Sequence, residues 1–264
     1  MKPEQTKHCH TKLTDTIIIK TTQELRSQIN SNRVIKLINH EYILATTLLI
    51  DQVKNLKIIG TSNTKLRIAG QNATVLSIVH SKNIHLDSLI LGHRNSLGYQ
   101  GEQGVLRVSH SNQISIANAK LLSAGTFGFV SNNVYDLSFT NSEITACTAL
   151  LFELEKSHHI EFEKVKFHHN DLGISVLGAF TRSTKDIHFK HCSFFNNKPK
   201  MLGNPAFNFF DNYEDDDQTI IFSNCSFKNN KGYKWYGEKI VLKDCEIDST
   251  DFIGLQWSNE VVLK

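Results

Sequence analysis

Most of the groups able to do chemistry in this 264-residue chain sit in a few short polar stretches. The segment His93 to Gln103 places an imidazole (His93), a guanidinium (Arg94), an aromatic platform (Tyr99) and a carboxylate (Glu102) within one loop-like run rich in glycine. Such a set suits a hydroxyl-rich ligand, with the ring offering a flat apolar face and the polar groups hydrogen-bonding around it. Arg107 and Glu153 add charge on segments that otherwise alternate apolar and polar residues. His168 and His169 are adjacent, and with Glu153 they are candidates for acid/base work. Arg182 and Asn208 lie in or beside later loops. Asp211, Asp215 and Asp217 belong to an acidic run that offers calcium a set of oxygens, although the run lacks the alternating spacing of a dedicated calcium loop. No other cofactor is expected, and no CxxC spacing supports zinc.

These groups are positioned by a repeat. Ile114, Leu137 and Ile160 lie 23 residues apart, and three further columns keep the same step: Ile116, Phe139, Phe162; Ala119, Ser142, Val165; Leu121, Ile144, Phe167. A period in the range of roughly 20–50 residues marks a solenoid or propeller. The template, apolar-x-apolar-x-x-small-x-apolar, recurs from Leu56 to Leu263 with steps of 28, 30, 23, 23, 27, 33, 20 and 21 residues. A short constant core with variable insertions is what stacked coils with loops of different length produce. Most copies carry another alternating apolar pair upstream, often ending six residues before the first column. Examples are Leu76 with Ile78, Leu106 with Val108, Phe152 with Leu154, Ile174 with Val176 and Phe207 with Phe209. Period-two alternation rich in β-branched and aromatic residues predicts strands, three to a repeat.

Three strands per coil, each pairing with its counterpart one coil away, predict an all-β chain: a right-handed single-stranded parallel β-helix of about nine coils. Residues 84–194 resemble the pectin-lyase-like β-helix superfamily, and the resemblance extends over nearly the whole chain. A two-residue turn after the second strand is similar to that superfamily's asparagine ladder. Asn118, Asn141 and Asn224 keep the asparagine, whereas Lys164, His191 and Asp244 depart from it. The Thr21–Glu24 spacing before Leu25 and Ile29 predicts a short amphipathic helix, Thr22 to Asn30, closing the first coil. Arg33 to Leu44 resembles the superfamily's opening strand and its Gly-x-Tyr turn, with His40 in place of glycine.

The same resemblance implies that ligands lie along the outward face of the first strand. Counting alternate positions, that column reads Ser77, Arg107, Val130, Glu153, Ser175, Asn208 and Gln256, walled by the loops that hold His93, Arg94, Tyr99, Glu102, His168, His169 and Arg182. The Asn-Thr-Asp, paired-Asp, Gly-His-Gly and Arg-Ile-Lys motifs of polygalacturonases are missing from the strands, and the column carries too few carboxylates for a calcium-dependent lyase.

Composition narrows the remaining classes. A net charge of +3 with interspersed signs and no basic block argues against nucleic acid. No 18-residue apolar run is present, so no membrane span is expected. Met1 to Leu13 is polar and unlike a signal peptide. That places the chain in the cytoplasm if Met1 is native, and outside the cell or in the periplasm if a leader was removed. Residues 1–15 are expected to form a disordered tail and 16–264 one β-helix domain. Of the five cysteines, Cys192, Cys225 and Cys245 share one inward column of small residues. The aromatic residues Tyr233, Trp235, Tyr236 and Trp257 gather near an apolar C-terminal end, so the chain is a monomer or associates through that end. Three functions fit: recognition of an extended glycan along the first strand without turnover, a divergent lyase, hydrolase or epimerase, and a structural or protein-interaction solenoid.

Overall fold

Alternating inward and outward side chains build this molecule one coil at a time. The computed structural model describes residues 14–70, 73–94, 104–122, 127–147, 150–172, 179–199, 208–213, 220–230, 234–236, 240–248, 256–257 and 262–263. Tyr99, Glu102, Ser175, Asp215 and Asp217 lie outside these, as does the tail before Thr14. First and second strands of successive coils merge into an 18-stranded sheet, because Leu106–Ala117 and Phe127–Thr140 run through the bend between the two. The third strands form a separate nine-stranded sheet, and every described pairing is parallel between neighbouring coils. Turns in which all three strands are described number fewer than the nine coils expected.

Register follows the repeat. Ile114 pairs with Leu137 and Leu137 with Ile160, while Leu121 pairs with Ile144 and Ile144 with Phe167. These columns point inward and are buried, forming one continuous core. Its C-terminal half is aromatic. Phe139, Phe162, Phe189 and Phe222 stack with centroid separations of 5.2, 4.7 and 4.6 Å, and Phe167, Phe194 and Phe227 follow at 4.5 and 4.8 Å. Parallel strands about 4.8 Å apart set that ring spacing, which is why the same residue type can repeat on each coil.

The bends carry left-handed residues in columns. Asn118, Asn141 and Asn224 have φ of 51°, 48° and 54°, and Lys164, His191 and Asp244 adopt the same conformation at 54°, 54° and 51°. The column therefore has the expected backbone whether or not asparagine fills it. Side-chain amide stacking occurs elsewhere. Asn83 Nδ2 donates to Asn55 Oδ1 and Asn55 Nδ2 to Asn32 Oδ1, both at 2.8 Å. A second and buried ladder runs from Asn170 Nδ2 to Asn197 Oδ1 and from Asn197 Nδ2 to Asn230 Oδ1, again at 2.8 Å. Buried hydroxyls cap amides at the other bend: Ser81 Oγ accepts from Val53 N at 3.1 Å, Ser111 Oγ from Ser81 N at 3.0 Å, and Thr184 Oγ1 from Ser157 N at 3.2 Å. A buried polar atom is tolerated because the next coil supplies its partner.

At the N-terminal end the helix spans Thr22–Gln28, with Thr21 and Glu24 forming the expected capping box and Leu25 fully buried. Arg26 donates to the carbonyls of Thr46 and Thr47, tying the helix to the opening coil. The strand before it spans Thr14–Ile19. Tyr42 is buried and donates its hydroxyl to Ile19 O at 2.6 Å, anchoring the turn that holds His40 to the first strand.

Candidate functional site

The first-strand row is present, with two corrections to its later members. Leu76–Val79, Leu106–Ala117, Phe127–Thr140 and Leu150–Glu155 align Ser77, Arg107, Val130 and Glu153, one residue per coil. Beyond Glu153 the partner is Phe180, then Asp211, rather than Ser175 and Asn208. The constant six-residue distance to the second strand selects Ala179–Arg182, with Ala179 opposite Phe152 and Thr181 opposite Leu154. The apolar pair Ile174 and Val176 shows the same alternation in sequence but lies outside the described residues. Asn208 instead pairs with Lys234 across an irregular register.

Arg107 is exposed, and Glu153 is half-buried two coils away, about 10 Å by strand spacing. Between them Val130 is only 8% exposed. The backbone approaching the strand at Gly104 packs there, so closely that a Cβ on Gly104 would lie 3.3 Å from Val130 Cγ2. A second outward row sits two residues on: Ser109, Asn132 and Glu155, continued in backbone register by Arg182. Asn132 Nδ2 donates to Glu155 Oε2 at 2.5 Å, and Lys156 Nζ lies 3.5 Å from Glu155 Oε1.

Other candidates lie away from this row. His93 is 4% exposed, its Nε2 is 2.8 Å from Ala73 O, and its carbonyl accepts from Arg67 at 3.2 Å. It therefore holds the third-strand edge together, whereas the neighbouring Arg94 is exposed. His168 ends the third strand Lys166–His168 and faces the outside of the nine-stranded sheet. There Lys120 Nζ meets Glu143 Oε2 at 2.9 Å, the same oxygen lies 3.6 Å from His168 Nε2, and His168 Nδ1 is 2.8 Å from His169 Nδ1. His169 Nε2 is 3.2 Å from Asn196 Nδ2, and the His168 ring stacks on Phe195 at 4.8 Å. The hydrogen bond from Lys120 holds the Glu143 carboxyl below its usual range, and burial holds His168 below the usual histidine value against the pull of Glu143. The two histidines are thus brought together with Glu143, not with Glu153.

Sequence reasoning passed over the bend and the second-strand face. Tyr135, 48% exposed, stacks on His158 at 4.8 Å, and His159 lies between Asp136 and Asp186 at 3.5 and 3.2 Å. On the second strands Ser115 stands opposite His85. The signal for both was the repeat step itself, since residues separated by one step become neighbours.

Cys192 and Cys225 are buried in the small-residue column, where hydrogen bonding to Cys192 pushes the Cys225 thiol up to about 12. Among the described residues no group of three or more His, Cys, Asp or Glu is arranged to hold a metal ion, and no helix is long and apolar enough to cross a membrane.

A parallel solenoid of three strands per coil, with columns of left-handed turns and an outward first-strand row, defines a class of protein. The chain belongs to the right-handed β-helix family, whose model matches residues 52–247, and its fold is that of the pectin-lyase-like superfamily. A search of curated proteins finds no match. Among solved structures it is similar to the catalytic domain of an α-1,3-glucanase in complex with tetrasaccharides, at 12% identity and a TM-score of 0.65 over 94% of this chain. It spans only 47% of that domain's length. An alginate lyase from Paenibacillus sp. str. FPU-7 aligns at 11% identity with a TM-score of 0.61, covering 94% of this chain and 99% of the lyase. A pectin methylesterase in complex with a hexasaccharide aligns at 10% identity with a TM-score of 0.62, covering 93% and 89%. At these identities the likeness concerns the fold.

Proposed function

We propose that this protein recognises carbohydrate, binding an extended glycan along the outward face of its first strands without turning it over there. The observation that carries the reading is the in-register pair of rows, Ser77, Arg107, Val130, Glu153 and Ser109, Asn132, Glu155, one residue of each per coil. A coil step of about 4.8 Å presents hydrogen-bonding groups at intervals that a sugar chain can follow. Arg107 supplies a forked donor suited to carboxylate or vicinal hydroxyls, and Gly104 beside Val130 forms part of a wall. The sugar complexes of the glucanase and methylesterase support the same ligand class for a chain of this fold.

The test is a thermal-shift screen against acidic and neutral polysaccharide fragments, with and without calcium. A ligand at 100 times its Kd stabilises the folded state by about 2.7 kcal/mol. The expected result is a hit that Arg107→Ala and Glu153→Ala each weaken, with no product formed on that glycan. Absence of any shift at millimolar fragments, or a hit indifferent to both substitutions, would reject the first-strand site.

A further inference from the structure

The outward face of the second strands brings a serine, a histidine and an aspartate together, the serine within hydrogen-bonding distance of the histidine and the aspartate within ion-pair distance of it. Lys82–Asp87 and Leu106–Ala117 pair in parallel with His85 opposite Ser115. Strand alternation then puts Asp87, two residues beyond His85, on the same face. His85 Nδ1 lies 2.6 Å from Ser115 Oγ, and His85 Nε2 lies 3.7 Å from Asp87 Oδ2. The other carboxylate oxygen, Asp87 Oδ1, accepts from Ser88 Oγ at 2.9 Å and from Asn118 Nδ2 at 3.0 Å. All three side chains are partly accessible to solvent.

We propose that Ser115, His85 and Asp87 act as nucleophile, general base and positioning carboxylate in the hydrolysis of small carboxylic esters. One tautomer satisfies all the contacts. A proton on His85 Nε2 faces Asp87, leaving the Nδ1 lone pair to accept the Ser115 hydroxyl proton. Burial lowers the pKa of His85, Lys57 adds to that effect, and Asp87 opposes it, so the imidazole is neutral and basic at neutral pH. Burial also works against ionisation of Asp87, but the hydrogen bonds from Asn118 and Ser88 outweigh it and its pKa is lowered. Lys57 on strand Lys54–Ile59 stands opposite His85 on the side away from Ser115, so its charge acts on the imidazole. In the reaction Ser115 Oγ bonds to the ester carbonyl carbon as its proton passes to His85 Nδ1. The tetrahedral adduct collapses, breaking the bond to the alkoxide, which takes that proton and leaves as alcohol. Water then attacks the acyl-serine with His85 again accepting the proton, releasing a carboxylic acid and free Ser115. No oxidant or further reactant is needed.

The test uses the full chain with a fluorophosphonate probe, the adduct mapped by mass spectrometry, and p-nitrophenyl acetate as substrate. The expected adduct is on Ser115, absent in Ser115→Ala and formed about 100-fold or more slowly in His85→Gln, the usual minimum for a lost general base. The wild-type labelling rate should rise with pH through a midpoint below the ordinary histidine value of 6.5. Asp87→Asn should move that midpoint to still lower pH, because the carboxylate is the group raising it; a purely structural aspartate would leave it in place. Circular dichroism and melting curves establish that each variant is folded. No adduct on Ser115 in wild type, or one formed equally fast in folded His85→Gln, overturns the proposal.

Discussion

Replacing Asn197 by alanine interrupts the buried amide ladder at its centre, and the structure sets the size of the effect. Asn197 is 1% exposed. Its Nδ2 donates to Phe167 O at 3.0 Å and to Asn230 Oδ1 at 2.8 Å, while its Oδ1 accepts from Asn170 Nδ2 at 2.8 Å. Truncation leaves Phe167 O without that donor. Asn170 Nδ2 keeps Ile144 O at 3.2 Å, and Asn230 Oδ1 keeps only the Asn197 backbone amide at 3.3 Å. One acceptor loses a partner outright and two groups are left partly satisfied. At about 1–3 kcal/mol for each buried group left unpaired, the loss is about 3–5 kcal/mol. Backbone strain does not enter, because Asn197 is not among the residues with positive φ. Asn55→Gly is the comparison. It removes two amide contacts on the more exposed ladder and keeps the left-handed backbone seen at φ 57°, so it should cost about 1 kcal/mol or less. Urea denaturation followed by circular dichroism reads both as midpoint shifts at constant m. A loss at Asn197 no larger than that at Asn55 would refute the claim that burial, and not amide stacking itself, makes the inner ladder stabilising.

Two further perturbations address the core and the histidine pair. Phe189→Ala removes a fully buried ring stacked between Phe162 and Phe222 at 4.7 and 4.6 Å, and should cost about 3–5 kcal/mol by denaturant titration, with Phe189→Leu recovering roughly half. Acidification should destabilise the chain in two windows. His168 has a lowered folded-state pKa, so its contribution is complete above the unfolded value near 6.5 and is lost as pH falls through the folded value. Glu143, also lowered, adds a second loss below its unfolded value of 4.5. His168→Gln should shrink the upper window in melting temperature against pH to the share that His85, also lowered, contributes, and leave the lower one; an unchanged upper window would place that proton uptake elsewhere.

The fold was legible because the repeat writes itself in apolar residues. Ile114, Leu137 and Ile160 carry the same step in sequence that they carry in register. The capping box at Thr21 and Glu24 was equally local, and both predictions match the structure. Legibility failed where local composition and stacking disagreed. Ile174 and Val176 have the alternation of a strand, but hydrogen bonding to the preceding coil places Ala179–Arg182 in the first-strand sheet, so Ser175 and Asn208 gave way to Phe180 and Asp211. It failed again for His93, a polar residue beside a loop, whose ring is buried against Ala73, which precedes it by 20 residues in the chain. The ladder was read at Asn118 and Asn141 from turn chemistry, yet amide stacking needs two asparagines on adjacent coils with both side chains aimed along the axis. Asn170, Asn197 and Asn230 meet that condition, at steps of 27 and 33 residues across loops of unequal length.

The candidate chemistry follows the same logic. A motif search looks along the chain, where neighbours in function are a few residues apart. In a solenoid the relevant neighbour is one coil away, and that distance varies with the intervening loop. His85 and Ser115 are separated by 30 residues, the step between Ile84 and Ile114, so their contact is implied by the repeat but by no linear motif. His168 and Glu143 meet by the same rule with an offset: Glu143 pairs with Lys166 on the next coil, and His168 lies two residues beyond it on the same face. Glu153 and His168 are only 15 residues apart in sequence, but sheet identity sends them to different faces, Glu153 to the first-strand row and His168 to the third-strand sheet. For this architecture, reading columns after the register is fixed gives each polar group its true neighbours, and those neighbours decide whether a serine beside a histidine is merely solvated or is held ready to react.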